Sequence, residues 1–260
     1  MSLKRQGQIL TELRHLGSCA ITELASRLGV TTETIRRTVK PLLERGDLLH
    51  FHGGLMLPPN EDEPPFQRRL ARNALPKRDV AALVLGLVKN GDALILDNGT
   101  TTTYVADALR ARSKLVVVTN SAQIASRLAG HANNRVFMAG GELAGDDAAS
   151  FGPQVVKFLR QFDVKAAILS TAGINWRGDF VDFHMHEAEF ARAAMARAEE
   201  AWFVADASKF GREAPVRVCP LHEADLLITN APPVREFVTL CAEANTQLLF
   251  GGGGGGVGKP

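Results

Sequence analysis

The sequence has few of the features that secreted, zinc-binding or membrane-spanning proteins require. Its three cysteines, Cys19, Cys219 and Cys241, lie far apart with no CxxC spacing, which argues against a disulfide framework and a zinc site. The longest apolar run, residues 80–88, is about half the length of a membrane span. The N-terminal residues lack the apolar stretch of a secretory signal. We therefore expect a cytoplasmic protein with no membrane partner and no bound metal or other cofactor.

The chain has little net charge, but the charge that it has is unevenly distributed. The net charge is +2 over 260 residues, which by itself does not indicate a nucleic-acid partner. Residues 1–57 carry eight Lys/Arg against five Asp/Glu, whereas the rest of the chain carries 22 against 23. The basic excess therefore lies in the first segment. With 45% hydrophobic residues, the chain has enough apolar material for one small domain and one large one.

The first segment has the pattern of a winged helix-turn-helix. Apolar residues recur at helical spacing over residues 9–16 and 21–28, and glycines follow both runs. Thr31 or Thr32 can cap a third helix that ends near Gly46. Two short apolar runs then flank Gly53 and Gly54, as in a wing. We assign residues 1–57 to this domain, since a helix, a short glycine turn and a second helix place the second helix in the DNA major groove.

The third helix and the wing supply groups that bind phosphates and base edges. Hydroxyl and guanidinium groups near a helix N-terminus are suited to both tasks. The alternative is a small amphipathic bundle whose charges are merely solvated. The order of glycine turn, basic helix and Gly-Gly wing favours binding of double-stranded operator DNA. The predicted DNA-binding residues are Thr32, Thr34, Arg36, Arg37, Lys40, His50, His52 and Gly53.

Composition changes after residue 57. Residues 58–65 are rich in proline and acidic side chains, and residues 66–78 are strongly basic. We assign residues 58–78 to a linker. The basic part either couples the two domains or is a solvated helix. Residues 79–250 form the second domain, and the glycine-rich residues 251–260 are expected to be a disordered tail.

The second domain is predicted to be α/β. Short apolar runs, such as residues 94–96, 115–118, 166–169 and 201–204, alternate with helical patterns that include residues 186–199. This alternation indicates a mostly parallel sheet covered by helices on both faces. In such sheets, ligands bind beyond the carboxyl ends of the strands.

Polar, small and glycine residues follow several of these strands. After residues 94–96 the chain turns through Asn98 and Gly99 into four threonines that open a helix, which suits a phosphate. Such residues also mark ordinary turns. Several such residues meet at one edge of the predicted sheet, which favours an anionic ligand with hydroxyl groups. A phosphate requires N–H groups and a lysine as donors, whereas ligand hydroxyls require Asp, Asn or Glu as partners. The predicted effector residues are Asp97, Asn98, Gly99, Thr100, Thr101, Thr102, Asn120, Ser121, Gly140, Gly141, Glu142, Gly173, Asp182, His186, Glu187 and Lys209.

The chain resembles DeoR-family transcriptional repressors over nearly its whole length. The tetrad at residues 34–37 and the His-Gly-Gly at 52–54 are similar to the family's DNA-binding signature; Thr38 and Phe51 depart from it. Residues 97–101, 119–121, 140–141 and 208–211 resemble its D-x-GTT, VTN, GG and SKFG elements. The resemblance implies a sensor domain similar to sugar-phosphate isomerases of the ribose-5-phosphate type, which binds a phosphorylated sugar or polyol effector without turnover.

Residues 181–187 resemble an element of the glycerol-3-phosphate regulon repressor branch, so glycerol 3-phosphate is the favoured effector. His184, His186 and Glu187 could instead suggest a metal site, but the sequence offers only His222 nearby as a further histidine ligand. Two other functions remain open: an isomerase-type enzyme fused to a DNA-binding module, with Asp97 or Glu142 as the base, and a scaffold without ligand. We expect a homo-oligomer, a dimer or tetramer, because two-fold operators match two-fold proteins.

Overall fold

The computed structural model describes residues 2–16, 18–44, 47–51, 54–56 and 64–251. The chain divides into two compact units, Met1–Glu63 and Pro64–Pro260. The predicted wing residues His52 and Gly53, residue 57 at the end of the predicted DNA-binding domain, residues 58–63 of the predicted linker and residues 252–260 of the predicted tail lie outside the described residues.

The first unit combines three helices with a small antiparallel sheet. Its elements are α1 (Ser2–Leu16), β1 (Ser18–Ala20), α2 (Ile21–Arg27), α3 (Thr32–Glu44), β2 (Leu49–Phe51) and β3 (Gly54–Met56). The strands are ordered β1-β3-β2. Gly29 lies in the turn between α2 and α3 with φ +61°, a backbone conformation that favours glycine. The predicted winged helix-turn-helix is therefore present within the described residues.

One apolar cluster holds the first unit together. Ile9 and Leu13 of α1, Leu24 of α2, and Ile35 and Leu42 of α3 are all fully or almost fully buried. Their spacing puts one face of each helix towards a shared core. The opposite face of α3 is thereby left on the surface, where its basic residues are exposed.

The second unit contains an α/β sheet with additional hairpins. Its helices are α4 (Phe66–Ala71), α5 (Ala74–Leu87), α6 (Thr100–Leu109), α7 (Ala122–Leu128), α8 (Pro153–Leu159), α9 (Met185–Met195) and α10 (Arg235–Glu243). Its strands are β4 (Ala93–Leu96), β5 (Val116–Thr119), β6 (Arg135–Met138), β7 (Leu143–Ala144), β8 (Ala149–Ser150), β9 (Val164–Ser170), β10 (Gly173–Ile174), β11 (Asp179–Asp182), β12 (Ala198–Val204), β13 (Val216–Pro220), β14 (Leu226–Thr229) and β15 (Gln247–Phe250).

The described main sheet has seven strands in the order β15-β14-β12-β9-β4-β5-β6. Every neighbouring pair is parallel. Strands after β4 in the sequence continue to one side as β5 and β6, and the chain then returns to β9 on the other side of β4. The strand order thus reverses between β4 and β9, and such a switch point opens a crevice at the carboxyl ends of the two strands.

Alternate residues of the central strands face opposite layers of helices. Ile95 and Ala167 belong to the cluster on one face, whereas Leu94, Leu96 and Ile168 belong to the cluster on the other. All five side chains are fully buried. Burial on both faces explains why these strands are continuously apolar in the sequence.

Two sequence assignments differ from the structure. The helix predicted over residues 186–199 ends at Met195, because Ala198 and Glu200 already pair with β9, and sheet pairing outweighs the helical propensity of Ala and Glu. Residues 64–78 belong to the second unit rather than to a linker, because the apolar side chain of Phe66 is completely buried there. The hairpin β7–β8, the strands β10, β11, β13 and β15, and the helices α8 and α10 were not predicted.

Among the helices of the described ranges, none combines the length and apolarity needed to cross a bilayer. The three cysteines are buried free thiols. Burial raises the pKa of Cys219 to about 12 and that of Cys241 to about 11.

Candidate functional site

The surface of α3 carries the described part of the predicted DNA-binding set. Arg36, Arg37 and Lys40 are exposed, and Arg36 has only a long contact of 3.9 Å to the exposed Glu33. No described carboxylate forms an ion pair with Arg37 or Lys40. Exposed cations without strong partners on one helix face are suited to phosphate contacts. His50 lies exposed on β2.

The hydroxyls of α3 have more local roles. Thr31 caps the helix, since its Oγ1 accepts the Thr34 N–H at 3.2 Å, and the two hydroxyls lie 2.9 Å apart. Thr32 and Thr34 are half-buried. Thr38, which departs from the signature that the chain resembles, is buried and donates to the Thr34 carbonyl at 2.7 Å. Thr38 therefore belongs to the helix packing rather than to the exposed basic face of α3.

Asp97 lies at the switch point of the main sheet and joins its two central strands. Its Oδ2 accepts hydrogen bonds from the Ser170 N–H at 2.6 Å and the Ser170 hydroxyl at 2.9 Å. Its Oδ1 accepts from the Thr102 hydroxyl at 2.6 Å and the Gly99 N–H at 3.1 Å. Burial raises the pKa of this carboxyl, and the hydrogen bonds oppose the rise.

Because these four bonds use both oxygens of Asp97, its role is to fix the loop between β4 and α6. The sequence had assigned it to a ligand hydroxyl, or to a base in the enzyme alternative; neither role suits a carboxylate that is already saturated. Glu142, the other candidate base, is exposed.

The N-terminus of α6 is the feature that suits an anion. Gly99 is its N-cap and provides no side-chain cap, so the first N–H groups of α6 have no capping side chain. The hydroxyls of Thr100 and Thr101 donate to no other described residue, although both side chains are largely buried. In contrast, the Thr102 hydroxyl donates to Asp97 Oδ1 and the Thr103 hydroxyl to the backbone carbonyl of Gly99. The helix start therefore presents N–H and hydroxyl donors, where the helix dipole also favours negative charge.

Asn98 connects this loop to two other elements. Its Nδ2 donates to Asp147 Oδ2, in the β7–β8 hairpin, at 2.7 Å and to Glu187 Oε1, on α9, at 3.4 Å. The sequence predicted Asn98 and Glu187 but not Asp147. The structure thus brings together the ends of β4, the hairpin that follows β6 and the start of α9.

Both units of the chain match known domains. Residues 72–231 match the DeoR C terminal sensor domain, and residues 5–60 match the DeoR-like helix-turn-helix domain. The chain belongs to the DeoR family. It is 32% identical over 94% of its length to the glycerol-3-phosphate regulon repressor of Escherichia coli, covering 97% of that protein. It is also 32% identical to the Haemophilus influenzae protein of the same name, with 96% of both chains covered.

Another DeoR-type relative is the HTH-type transcriptional repressor CsqR of Escherichia coli, with 28% identity over 95% of this chain and 94% of that one. As a DeoR-family member with such relatives, the chain is a DNA-binding transcriptional repressor.

Among solved structures, the chain is similar to a D-ribose-5-phosphate isomerase in complex with phospho-erythronic acid, with a TM-score of 0.37 and 16% identity over 52% of both chains. It is also similar to eIF2B delta from Chaetomium thermophilum, with a TM-score of 0.47 and 15% identity over 61% of this chain and 57% of that one.

Several other residues predicted for the DeoR sensor site have structural roles. Ser121 caps α7, since its Oγ accepts the Ile124 N–H at 3.3 Å. A Cβ at Gly173 would lie 2.4 Å from the Arg212 carbonyl oxygen, so backbone proximity requires this glycine. Gly141 has φ +148° and lies beside Ser150 of the hairpin. Gly140 is exposed.

The remaining predicted residues lie around the start of α9 and after β12. The His186 ring packs against Phe151 with ring centroids 4.1 Å apart and the planes tilted by 56°, and it stacks on His184 at 5.2 Å. Burial, followed by the charge of His184, lowers the pKa of His186. Asp182 accepts the N–H of Phe183 at 2.7 Å. Lys209 lies in the 3-10 helix Ala207–Lys209 that follows β12.

The described residues contain a sizeable cavity and no cluster of metal ligands. No group of three or more His, Cys, Asp and Glu side chains within the described ranges is arranged to hold a metal ion. A cavity of about 570 Å³ lies between α8 and α9, and its lining includes Lys157, Arg160 and Arg192. It shares no residue with the predicted effector set.

Sequence reasoning missed Asp147, Ser170 and Asn73. Ser170 is the last residue of β9, so the rule that ligands bind at carboxyl ends of strands could have drawn attention to it. Asn73 caps α5 in a left-handed conformation with φ 55° and donates to Asp206 Oδ1 and Ser208 Oγ, both at 3.0 Å. Neither Asn73 nor Asp147 has a sequence pattern that predicts these contacts.

Proposed function

We propose that this DeoR-family chain represses a carbohydrate or polyol catabolic operon and that a phosphorylated effector, with glycerol 3-phosphate favoured, controls it. The observation that carries the proposal is the α6 N-terminus at the β4–β9 switch point, in a sensor domain whose similar relatives are named for glycerol 3-phosphate. Operator DNA binds α3 and the wing, and the effector binds beyond the carboxyl ends of β4 and β9.

The effector's phosphate lies against the first turn of α6. There the N–H groups and the hydroxyls of Thr100 and Thr101 supply donors, and Lys209, after β12, supplies a cation. Phosphate oxygens accept only, so a site composed of donors complements them.

DNA binding depends on Arg36, Arg37 and Lys40, with Thr32, Thr34, His50, His52 and Gly53 as further candidate contacts. A single small unit makes few contacts, which supports a homo-oligomer, a dimer or tetramer, on a two-fold operator.

Residues 64–78 provide a route by which effector binding changes the connection to the first unit. The N–H of Phe66 donates to Asp146 Oδ2 at 2.5 Å, so the hairpin beside the effector site holds the start of α4. The Tyr104 hydroxyl of α6 donates to the Leu70 carbonyl at 3.2 Å, and Asn73 bonds to the loop after β12. The segment is thus bonded to three elements that follow strands of the main sheet. A change at that edge is transmitted directly to the residues next to the connection.

A binding assay with the full chain and duplex DNA from its own promoter tests the proposal. At fixed salt, we expect tighter binding to promoter DNA than to random duplex by at least about 10³-fold. We also expect glycerol 3-phosphate to weaken it, since a repressor of catabolic genes must release DNA when a pathway intermediate accumulates. Equal binding to both duplexes would contradict the DNA-binding part of the proposal, and no response to any sugar or polyol phosphate would contradict the effector part.

A further inference from the structure

Asn98 uses both protons of its amide on carboxylates of two different elements. Asp147 and Glu187 can only accept when ionised, so the nitrogen end of the Asn98 amide must face them. The distances are 2.7 Å to Asp147 and 3.4 Å to Glu187. Both Asn98 and Asp147 are buried, with exposed fractions of 5% and 9%. This leaves the amide oxygen of Asn98 as its unused group.

The carboxylate of Asp147 is also only partly used. Its Oδ2 accepts the Asn98 amide, and no other described group donates to either carboxylate oxygen. A buried charge normally requires more donors than one amide supplies. The pair Asn98–Asp147 therefore presents acceptors and no donors, which excludes phosphate from this part of the site and suits the O–H groups of a polyol.

A third side chain, Asn120, positions the hairpin that carries Asp147. Asn120 follows β5 and is completely buried. Its Nδ2 donates to the Ser150 carbonyl at 3.1 Å, on the hairpin that carries Asp147. Its Oδ1 accepts no hydrogen bond from any described residue. That oxygen is closed to solvent and so is not available to a ligand; the role of Asn120 is to hold the hairpin that carries Asp147.

We propose that Asn98 and Asp147 are the residues that select the effector by its hydroxyl groups. The inference rests on the proposed function, because it takes the α6 N-terminus as the phosphate site. Asn98 is next to Gly99, the N-cap of α6, so donors for a phosphate and acceptors for hydroxyls lie side by side. A short molecule with phosphate at one end and hydroxyls at the other fits both, whereas a phosphate without hydroxyls leaves the acceptors unpaired.

Calorimetric titration of the full chain with glycerol 3-phosphate and with n-propyl phosphate, which lacks the two hydroxyls, tests this assignment. We expect the unchanged protein to prefer glycerol 3-phosphate by at least about tenfold. Asp147→Asn and Asn98→Ala should each reduce the preference to less than about threefold, chiefly by weakening glycerol 3-phosphate binding. Asp107→Asn is the control, since Asp107 lies near the other end of α6 and pairs with Arg127; it should keep the full preference.

The outcomes separate the two proposals. If the unchanged protein binds both phosphates equally, or if both variants keep the preference, the role of Asn98 and Asp147 is refuted while the phosphate site stands. If the unchanged protein binds neither phosphate, the proposed glycerol 3-phosphate control fails and this inference fails with it. Melting temperatures without ligand show whether a variant is folded, and loss of folding in one variant leaves the other to decide.

Discussion

The carboxylate of Asp97 accepts two hydrogen bonds from Ser170, one from its N–H at 2.6 Å and one from its hydroxyl at 2.9 Å. These bonds tie the end of β4 to the end of β9 at the point where the strand order reverses. The loop that opens α6 is therefore held by the fold itself before any ligand binds.

Replacing Asp97 with asparagine should destabilise the second unit. One carboxylate oxygen would become an NH₂ group facing N–H donors of Ser170 or Gly99, and we expect a loss of roughly 2–4 kcal/mol in the free energy of unfolding. Urea denaturation measures the loss. Asp163→Asn is the control because Asp163 is highly exposed, so it should change stability by less than about 0.5 kcal/mol. An equally small change for Asp97→Asn would contradict the anchoring role.

Gly99→Ala should also be destabilising, because a Cβ there would lie 1.9 Å from Ser170 Oγ and 2.5 Å from Ser170 Cβ. Overpacking of this kind costs about 1–3 kcal/mol or more. Adding Ser170→Gly removes both clashing atoms and should restore part of the stability. Gly86→Ala, on α5 with no atom near the new Cβ, should instead stabilise by about 0.5–1 kcal/mol. Thermal denaturation of the four proteins checks the whole series; a tolerated Gly99→Ala would refute the close contact.

Protonation of His186 should lower the free energy of unfolding as the pH falls. Because burial and His184 lower its folded-state pKa below the ordinary value of 6.5, protonation favours the unfolded state. This contribution is fully present above the unfolded pKa and is lost as the pH falls through the folded pKa. His186→Gln should therefore show a shallower decrease of unfolding free energy below pH 6.5 than the unchanged protein. Identical pH profiles would contradict it.

Arg37→Ala should weaken DNA binding without affecting stability, because Arg37 is exposed and forms no ion pair with a described residue. If Arg37 contacts a phosphate, the slope of log affinity against log salt should decrease in magnitude by about 0.9. Thr38→Ala should instead lower the free energy of unfolding by about 1 kcal/mol and have little effect on the salt dependence of DNA binding. Arg110→Gln on the second unit serves as a charge control. If Arg37→Ala leaves the slope of log affinity against log salt unchanged, Arg37 does not contact a DNA phosphate.

Asp146→Asn should separate effector binding from its effect on DNA. Asp146 is exposed and bonds to the Phe66 N–H, so its loss weakens the link between the hairpin and α4 without removing a proposed ligand contact. We expect unchanged calorimetric affinity for glycerol 3-phosphate but a smaller effector-induced change in operator affinity. A full response to effector in this variant would exclude the route through Asp146.

Local patterns predicted the features that depend on local physics. The turn at Gly29, the buried strand at residues 94–96 and the helix opening at Thr100 all follow from glycine placement, apolar runs and hydroxyl clusters. Because ligands bind beyond the carboxyl ends of parallel strands, the sequence also predicted Asn98 and Gly99 as site residues. These elements are specified by a few consecutive residues, which is why the sequence suffices for them.

Long-range packing decided the rest. Nothing near Thr38 in the sequence shows that it turns towards α1, where the Gln6 amide donates to its carbonyl at 3.3 Å. Gly173 looked like a ligand-facing glycine, yet the backbone at Arg212, about forty residues along the chain, explains it. Asp147 lies in a hairpin of two-residue strands, too short to have a recognisable period. Its contact with Asn98 exists only in the folded chain.

The most direct test of the central claim is operator binding by the full chain, titrated at one salt concentration with and without saturating glycerol 3-phosphate. The account predicts specific binding to promoter DNA that glycerol 3-phosphate weakens by at least about tenfold, an effect of roughly 1.4 kcal/mol. Operator affinity that stays the same with glycerol 3-phosphate would contradict it.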